Sequence, residues 1–323
     1  MAGSGKAEKV MTPFDETPPA QEPEPNQPET SVEKPASEPE LTPAPLTPSD
    51  NSPYVASDQV PVPIPPPRVY APDLQISWSW LHLLVFLFFI FITLLTVQGV
   101  FLAAYAPHQH MTAQQLEDYL LSKPQVAIGS TIVVYALVLF FLYVTLGLLR
   151  GQPFWSTLGW RKIPPRSDGR PRNPLIFFFI GCGISLFVFA LTAVMKTPEN
   201  TPIEQVFKFK QTALLFVITA VLVAPLAEET IFRGYLYPMF ARWFGIVPSI
   251  VVTGVLFGLM HGPQLGGAKS LIAVMSLVGI IFTAVRARTG TVFASYLMHL
   301  GYNSLIGVSL FLATHGFTQV PKH

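Results

Sequence analysis

Two carboxylates stand side by side in a stretch whose neighbours are mostly apolar, Ala224-Pro-Leu-Ala-Glu-Glu-Thr-Ile-Phe-Arg-Gly-Tyr-Leu-Tyr-Pro238. Beyond residue 76 the chain has seven acidic residues, and two of them, Glu228 and Glu229, lie here. A charge in hydrocarbon costs at least a few kcal/mol, so such residues usually have a job. On a helix, Glu229 and Arg233 are i and i+4 with the acid N-terminal, the favourable order for an ion pair. Glu228 lies about 100° round the same helix, by the 3.6-residue period. The two carboxylates therefore face different surroundings. The plainer alternative is a salt bridge at the end of a membrane helix.

Two further clusters interrupt apolar runs. Phe257-Gly-Leu-Met-His261 ends one run, where the plain alternative is an interfacial histidine. His299-Leu-Gly-Tyr-Asn303 lies inside another. His299 and Asn303 are i and i+4, so they share one helix face. Their run is otherwise mostly apolar, so that face should look into a bundle and not at lipid. An interhelical hydrogen-bond pair, worth about 0.6 kcal/mol, would also explain them. Taken together, a carboxylate, two imidazoles and a carboxamide are the parts hydrolysis needs. A glutamate with histidine support can deprotonate a water. An asparagine amide or a histidine can stabilise the oxyanion that forms. Glu228, His261 and His299 could also hold a divalent metal such as zinc. No helix carries the His-Glu-x-x-His spacing of the zincins. The other histidines, including His82, look incidental.

These residues need a membrane frame to position them. Half of the 323 residues are hydrophobic and 12% are charged, a membrane-protein composition. A net charge of +1 without a basic patch gives no reason to expect a nucleic-acid partner. The single cysteine, Cys182, allows no disulfide framework and no cysteine metal site. Residues 1–76 hold 18 of the 32 prolines and 12 of the 19 acids, and read as a disordered cytoplasmic tail. Its Pro61–Pro67 run could dock a partner in polyproline-II form, although a flexible leader is the plainer reading. Residues 77–323 read as a helical transmembrane domain.

A spanning helix takes about 20 apolar residues. Seven runs qualify or nearly do: Trp80–Ala104, Val126–Leu149, Pro174–Met195, Thr212–Leu226, Ile246–Met260, Ser270–Ala287 and Thr291–Thr314. An eighth exists if Phe232–Phe244 forms a separate helix. The fold class is all-α, a polytopic transmembrane bundle of seven to eight spans, with Trp78 and Trp80 as interfacial anchors. The loop after the second run carries Arg150, Arg161, Lys162, Arg166, Arg170 and Arg172, which places it and the N-terminus in the cytoplasm.

The ordered set Glu-Glu-x-x-x-Arg, Phe-x-x-x-His and His-x-x-x-Asn resembles the CPBP family of CAAX-protease and bacteriocin-processing intramembrane proteins, also called Abi. The resemblance covers roughly Thr212 to Leu310, with Phe232-Arg233-Gly234 and Thr289-Gly290 adding to it. It implies an intramembrane endopeptidase, labelled a metalloprotease in many members. Its substrate would be a membrane-anchored, lipidated CAAX-type or hydrophobic peptide. It further implies Glu228 as the general base with His261 assisting, and His299 and Asn303 at the scissile carbonyl and its oxyanion. Glu229 and Arg233 would be supporting structure or a second acid. The expected setting is the bilayer of a bacterial inner membrane.

A non-enzymatic scaffold or bacteriocin-immunity protein would keep the same pattern. A proton-coupled transporter would use Glu228 and His299 as a relay, but no inverted repeat supports it.

Depth adds one constraint. If the fourth run ended at Glu228, that residue would sit at the inner surface. His261 would then lie about 22 Å from the inner end of its helix and His299 about 12 Å from the inner end of its own. For these residues to meet, the fourth helix must continue through the glutamates, bent at Pro225.

Overall fold

The computed structural model describes residues 71–105, 110–195 and 201–318. Among them there is no strand. The helices are α1 (Trp80–Ala104), α2 (Ala113–Leu121), α3 (Gln125–Leu148), α4 (Leu175–Ala193), α5 (Lys210–Phe244), α6 (Ile246–Met260), α7 (Lys269–Thr289) and α8 (Val292–Ala313). Six of these are long and apolar enough to cross a membrane, and α6 is a shorter apolar helix. The protein is an integral membrane helix bundle. Most of α1 turns large apolar side chains outward, Phe88 and Phe91 among them. In water such a surface would have no rationale, and in lipid it needs none.

All seven apolar runs form helix. The segment Phe232–Phe244 is not a separate eighth span; it is the continuation of α5. This helix has 35 residues. At 1.5 Å per residue that is about 52 Å, more than the ~30 Å of a hydrocarbon core. The glutamates lie well inside it, as the depth constraint required. Around Pro225 the helix is widened. A π-helical turn, Thr219–Val223, precedes the proline, and a second, Thr230–Leu236, precedes Pro238. A proline takes one donor out of the ladder, and the extra residue of a π turn absorbs the mismatch.

Small residues let the helices that carry the motifs approach closely. A Cβ on Gly301 of α8 would collide with the carbonyl of Phe178 on α4, and one on Gly181 of α4 with that of Met298 on α8. Such contacts replace the hydrophobic drive that is missing between helices in lipid. They set the rotation of α8, and with it the face that carries His299 and Asn303.

Three expectations at the start of the chain need correction. Asp73, Leu74 and Ile76, read as the end of the tail, are packed. Leu74 is buried against Tyr237 and Ala241, and Asp73 forms an ion pair with Arg286 at 2.9 Å. The reason is a local match: an acid and a leucine placed where α7 and α5 offer a cation and an apolar seat. The rest of the tail, with Pro61–Pro67, lies outside the described residues. Trp78 is not an interfacial anchor but a core residue, stacked on Tyr235 with ring centres 5.3 Å apart. Trp80 does face outward. His82 is not incidental either. Its ring bridges the Tyr235 hydroxyl at 2.7 Å and Thr145 Oγ1 at 3.0 Å.

Candidate active site

The three motifs reach one place from three helices. Glu228 (α5), His261 (directly after α6), His299 and Asn303 (α8) line a single cavity of about 570 Å³. Glu229 and Arg233 do not line it. They are fully buried behind it, with the Arg233 guanidinium 3.0 Å from Glu229 Oε1. Arg233 also donates from Nε to Thr283 Oγ1 and from Nη2 to the carbonyl of Gly279 on α7. A buried guanidinium is tolerable only when its donors are used in this way.

Glu229 has a second partner. His299 Nδ1 lies 3.0 Å from the same Oε1, while His299 Nε2 faces Glu228 Oε2 at 3.8 Å. Since Glu229 is held as a carboxylate by Arg233, the imidazole N–H at Nδ1 donates to it. The ring is thereby fixed in orientation, with Nε2 left on the Glu228 side. The order in space is Arg233, Glu229, His299, Glu228. The i, i+4 pair read from the sequence thus also orients the histidine of a distant motif.

The ring of Phe257 explains the first residue of its motif. It packs 4.7 Å from the ring of His261, meets His299 edge-on at 5.7 Å, and lies under the Arg233 guanidinium at 4.4 Å. The phenyl ring is a wall that fills the space between the two histidines and the ion pair. His261 Nδ1 lies 2.8 Å from the Phe257 carbonyl. A carbonyl only accepts, so Nδ1 carries the hydrogen and Nε2 keeps its lone pair.

Asn303 lines the cavity and has a partner that its sequence position does not announce. Its Nδ2 donates to the carbonyl of Ala220 at 2.7 Å. The cause lies in α5. The Ala224 N–H donates to the Thr219 carbonyl in the π turn, so the Ala220 carbonyl would next look to residue 225. That residue is proline and has no N–H. Asn303 satisfies the carbonyl that Pro225 leaves over, and so fastens α8 to the widened stretch of α5 about two turns before the glutamates.

One residue at the site escaped the sequence reading. The Tyr135 hydroxyl, on α3, donates to Glu228 Oε1 at 2.8 Å. It belongs to a helix without recognisable motifs. The available signal was chemical: a tyrosine deep in an apolar span needs a partner for its hydroxyl. Only the fold says which partner that is.

For a metal, Glu228, His261 and His299 would be the candidates. Among the described residues no three His, Cys, Asp or Glu side chains converge as a metal-ligand set. His299 bonds Glu229 through Nδ1 and Glu228 accepts from Tyr135 at Oε1, which leaves His299 Nε2 and Glu228 Oε2 on the cavity side.

Comparison with known proteins bears on the same segment. The chain is similar to an uncharacterized 24.3 kDa protein of Escherichia coli, 28% identical over 147 residues. That alignment covers 42% of this chain and 65% of the relative, so the chain spans slightly less than two thirds of that protein's length. No solved structure matches. Residues 210–305 match the family described as Rce1-like, type II CAAX prenyl endopeptidase Rce1-like. That match spans the stretch holding Glu228, Glu229, Arg233, His261, His299 and Asn303.

Proposed function

We propose that the protein is an intramembrane endopeptidase that cleaves a membrane-anchored, lipidated or hydrophobic peptide by carboxylate-activated water. One observation carries this reading: Glu228 and both motif histidines border one cavity, while the neighbouring glutamate is consumed by an arginine.

In this mechanism Glu228 takes a proton from a water held between it and His261 Nε2. The water oxygen attacks the scissile carbonyl carbon. His299, with an N–H on the Glu228 side, donates to the oxyanion that forms. In that form the imidazolium and Arg233 together balance Glu229 and the oxyanion, since Glu228 has taken up the proton, so the buried cluster gains no net charge. Glu228 then passes its proton to the departing amine as the C–N bond breaks, leaving a carboxylic acid and an amine. Tyr135 holds the unused oxygen of Glu228 and so aims the other one. Asn303 acts here by holding α5 against α8.

Purified protein with a hydrophobic fluorogenic peptide tests the reading. Glu228→Gln and His261→Ala should each lower the cleavage rate by about 10²–10⁴-fold, the usual scale of general base catalysis. Full activity in both variants would sink it.

A further inference from the structure

The two ends of the bundle differ, and the cavity opens at only one of them. One end gathers the start of α5, the end of α6, the end of α2 and the start of α3. There the Ile203 N–H donates to the Gln264 carbonyl at 3.1 Å, and Thr212 Oγ1 donates to the Leu121 carbonyl at 2.8 Å. Phe317, just past α8, stacks on Phe207 at 6.3 Å. The cavity is lined at this end by Pro202, Ile203, Pro263 and Gln264. Pro263 and Gln264 are exposed. This is the mouth.

The opposite end is plugged. The loop after α3 folds under the site, and the Val292 N–H at the start of α8 donates to the Gly159 carbonyl at 2.9 Å. Leu158 is fully buried, and its carbonyl sits so close to Gly234 that a Cβ there would lie 2.8 Å away. Trp160 Nε1 donates to Thr230 Oγ1, directly beside Glu229. Thr230, Glu229, Arg233 and Phe257 are all buried and form the floor.

Charge separates the same two ends. The plugging loop carries Arg150, Arg161, Lys162, Arg166, Arg170 and Arg172. The mouth end has Lys123, Lys208, Lys210 and Lys269, of which Lys208 is paired with Asp118. Short loops rich in Lys and Arg stay on the cytoplasmic side.

We propose that the catalytic cavity opens on the extracytoplasmic face, and that its substrate is a peptide segment presented from that side. This rests on the peptidase reading above. The cavity wall away from the glutamate is apolar, with Phe216, Val217, Ile306 and Leu310, so the segment enters with an apolar side chain beside the cleaved bond. A lipidated C-terminus presented in the cytoplasm would meet the plugged floor instead.

The full chain with Cys182→Ser, expressed in bacterial cells, provides the test. Gln264→Cys and Arg170→Cys are introduced singly and probed with a membrane-impermeant maleimide. Gln264→Cys should be labelled on intact cells, and Arg170→Cys only after the membrane is opened. The reverse pattern overturns the proposal. Lys269→Cys serves as a second mouth position should Gln264→Cys not accumulate, with the same expectation. Sealed vesicles of both orientations then receive an impermeant hydrophobic fluorogenic peptide. Cleavage should occur in right-side-out vesicles and be at least tenfold lower in inside-out ones; equal or inverted rates overturn it. Absence of cleavage even in detergent, with labelling as expected, overturns the peptidase reading and the substrate assignment, while the orientation of the cavity stands.

Discussion

Glu228 and Glu229 are adjacent in the chain and live in opposite surroundings. Glu229 is wholly enclosed, tied to Arg233 and His299 in a space that α7 and Phe257 close. Glu228 borders a cavity, with one oxygen on Tyr135 and the other near a histidine. The enclosed half holds geometry still, and the open half has room for a water and a peptide. A quarter turn of helix separates them. A carboxylate walled in by a cation and a histidine has no space to react. One facing a cavity does, provided something else has fixed its partners.

Changes to the enclosed half should cost the most stability. Arg233→Met leaves Glu229 buried without its cation, and breaking such a pair costs about 3–5 kcal/mol. Thermal unfolding in detergent should show it as the largest loss in the series. The double change Arg233→Met with Glu229→Leu removes both charges and should recover most of that stability while activity stays low. No recovery would mean that the pair is not the unit described. On the open half, Glu228→Gln should lower cleavage by about 10²–10⁴-fold yet move stability by less than about 1 kcal/mol, a typical bound for changes that break no core contact. A large fall in melting temperature would erase the contrast between the two glutamates.

Asn303→Leu should cost about 1–3 kcal/mol, because it orphans the Ala220 carbonyl. A substrate-contacting role alone would leave the melting temperature unchanged. Tyr135→Phe should lower kcat, leaving KM and stability nearly unchanged, since it frees the Glu228 carboxylate without removing it; a change confined to KM would place Tyr135 in substrate binding instead. Asp73→Asn removes the charge opposite Arg286, whose side chain is buried, yet keeps an oxygen for it to donate to, and it should cost about 1–3 kcal/mol in a melting experiment.

Much of the bundle was legible because lipid leaves few options. Apolar runs of spanning length must be helices, and all seven became helices. Pro225 beside two acids in one oily run pointed to a distorted helix passing through the glutamates, and α5 is that helix. What stayed hidden were contacts between distant parts. Nothing local marks His82 as the partner of Tyr235, Trp78 as a core residue, or Leu74 as the plug of a small apolar seat. Each has an amphipathic or apolar side chain whose surroundings decide whether it is surface or core.

The site divides along the same line. Residue type and spacing alone determined the i, i+4 pairing of Glu229 with Arg233 and the shared face of His299 and Asn303, because helix geometry is local. Those rules also separated Glu228 from Glu229 by direction. Tertiary structure alone decided that Asn303 answers a carbonyl stranded by Pro225, that Tyr135 holds Glu228, and that the cavity has a floor at the arginine-rich end and a mouth at the other. These depend on which helices meet. In lipid that is settled by close packing at Gly181 and Gly301 and by polar groups that must find partners, neither of which has a fixed distance along the chain.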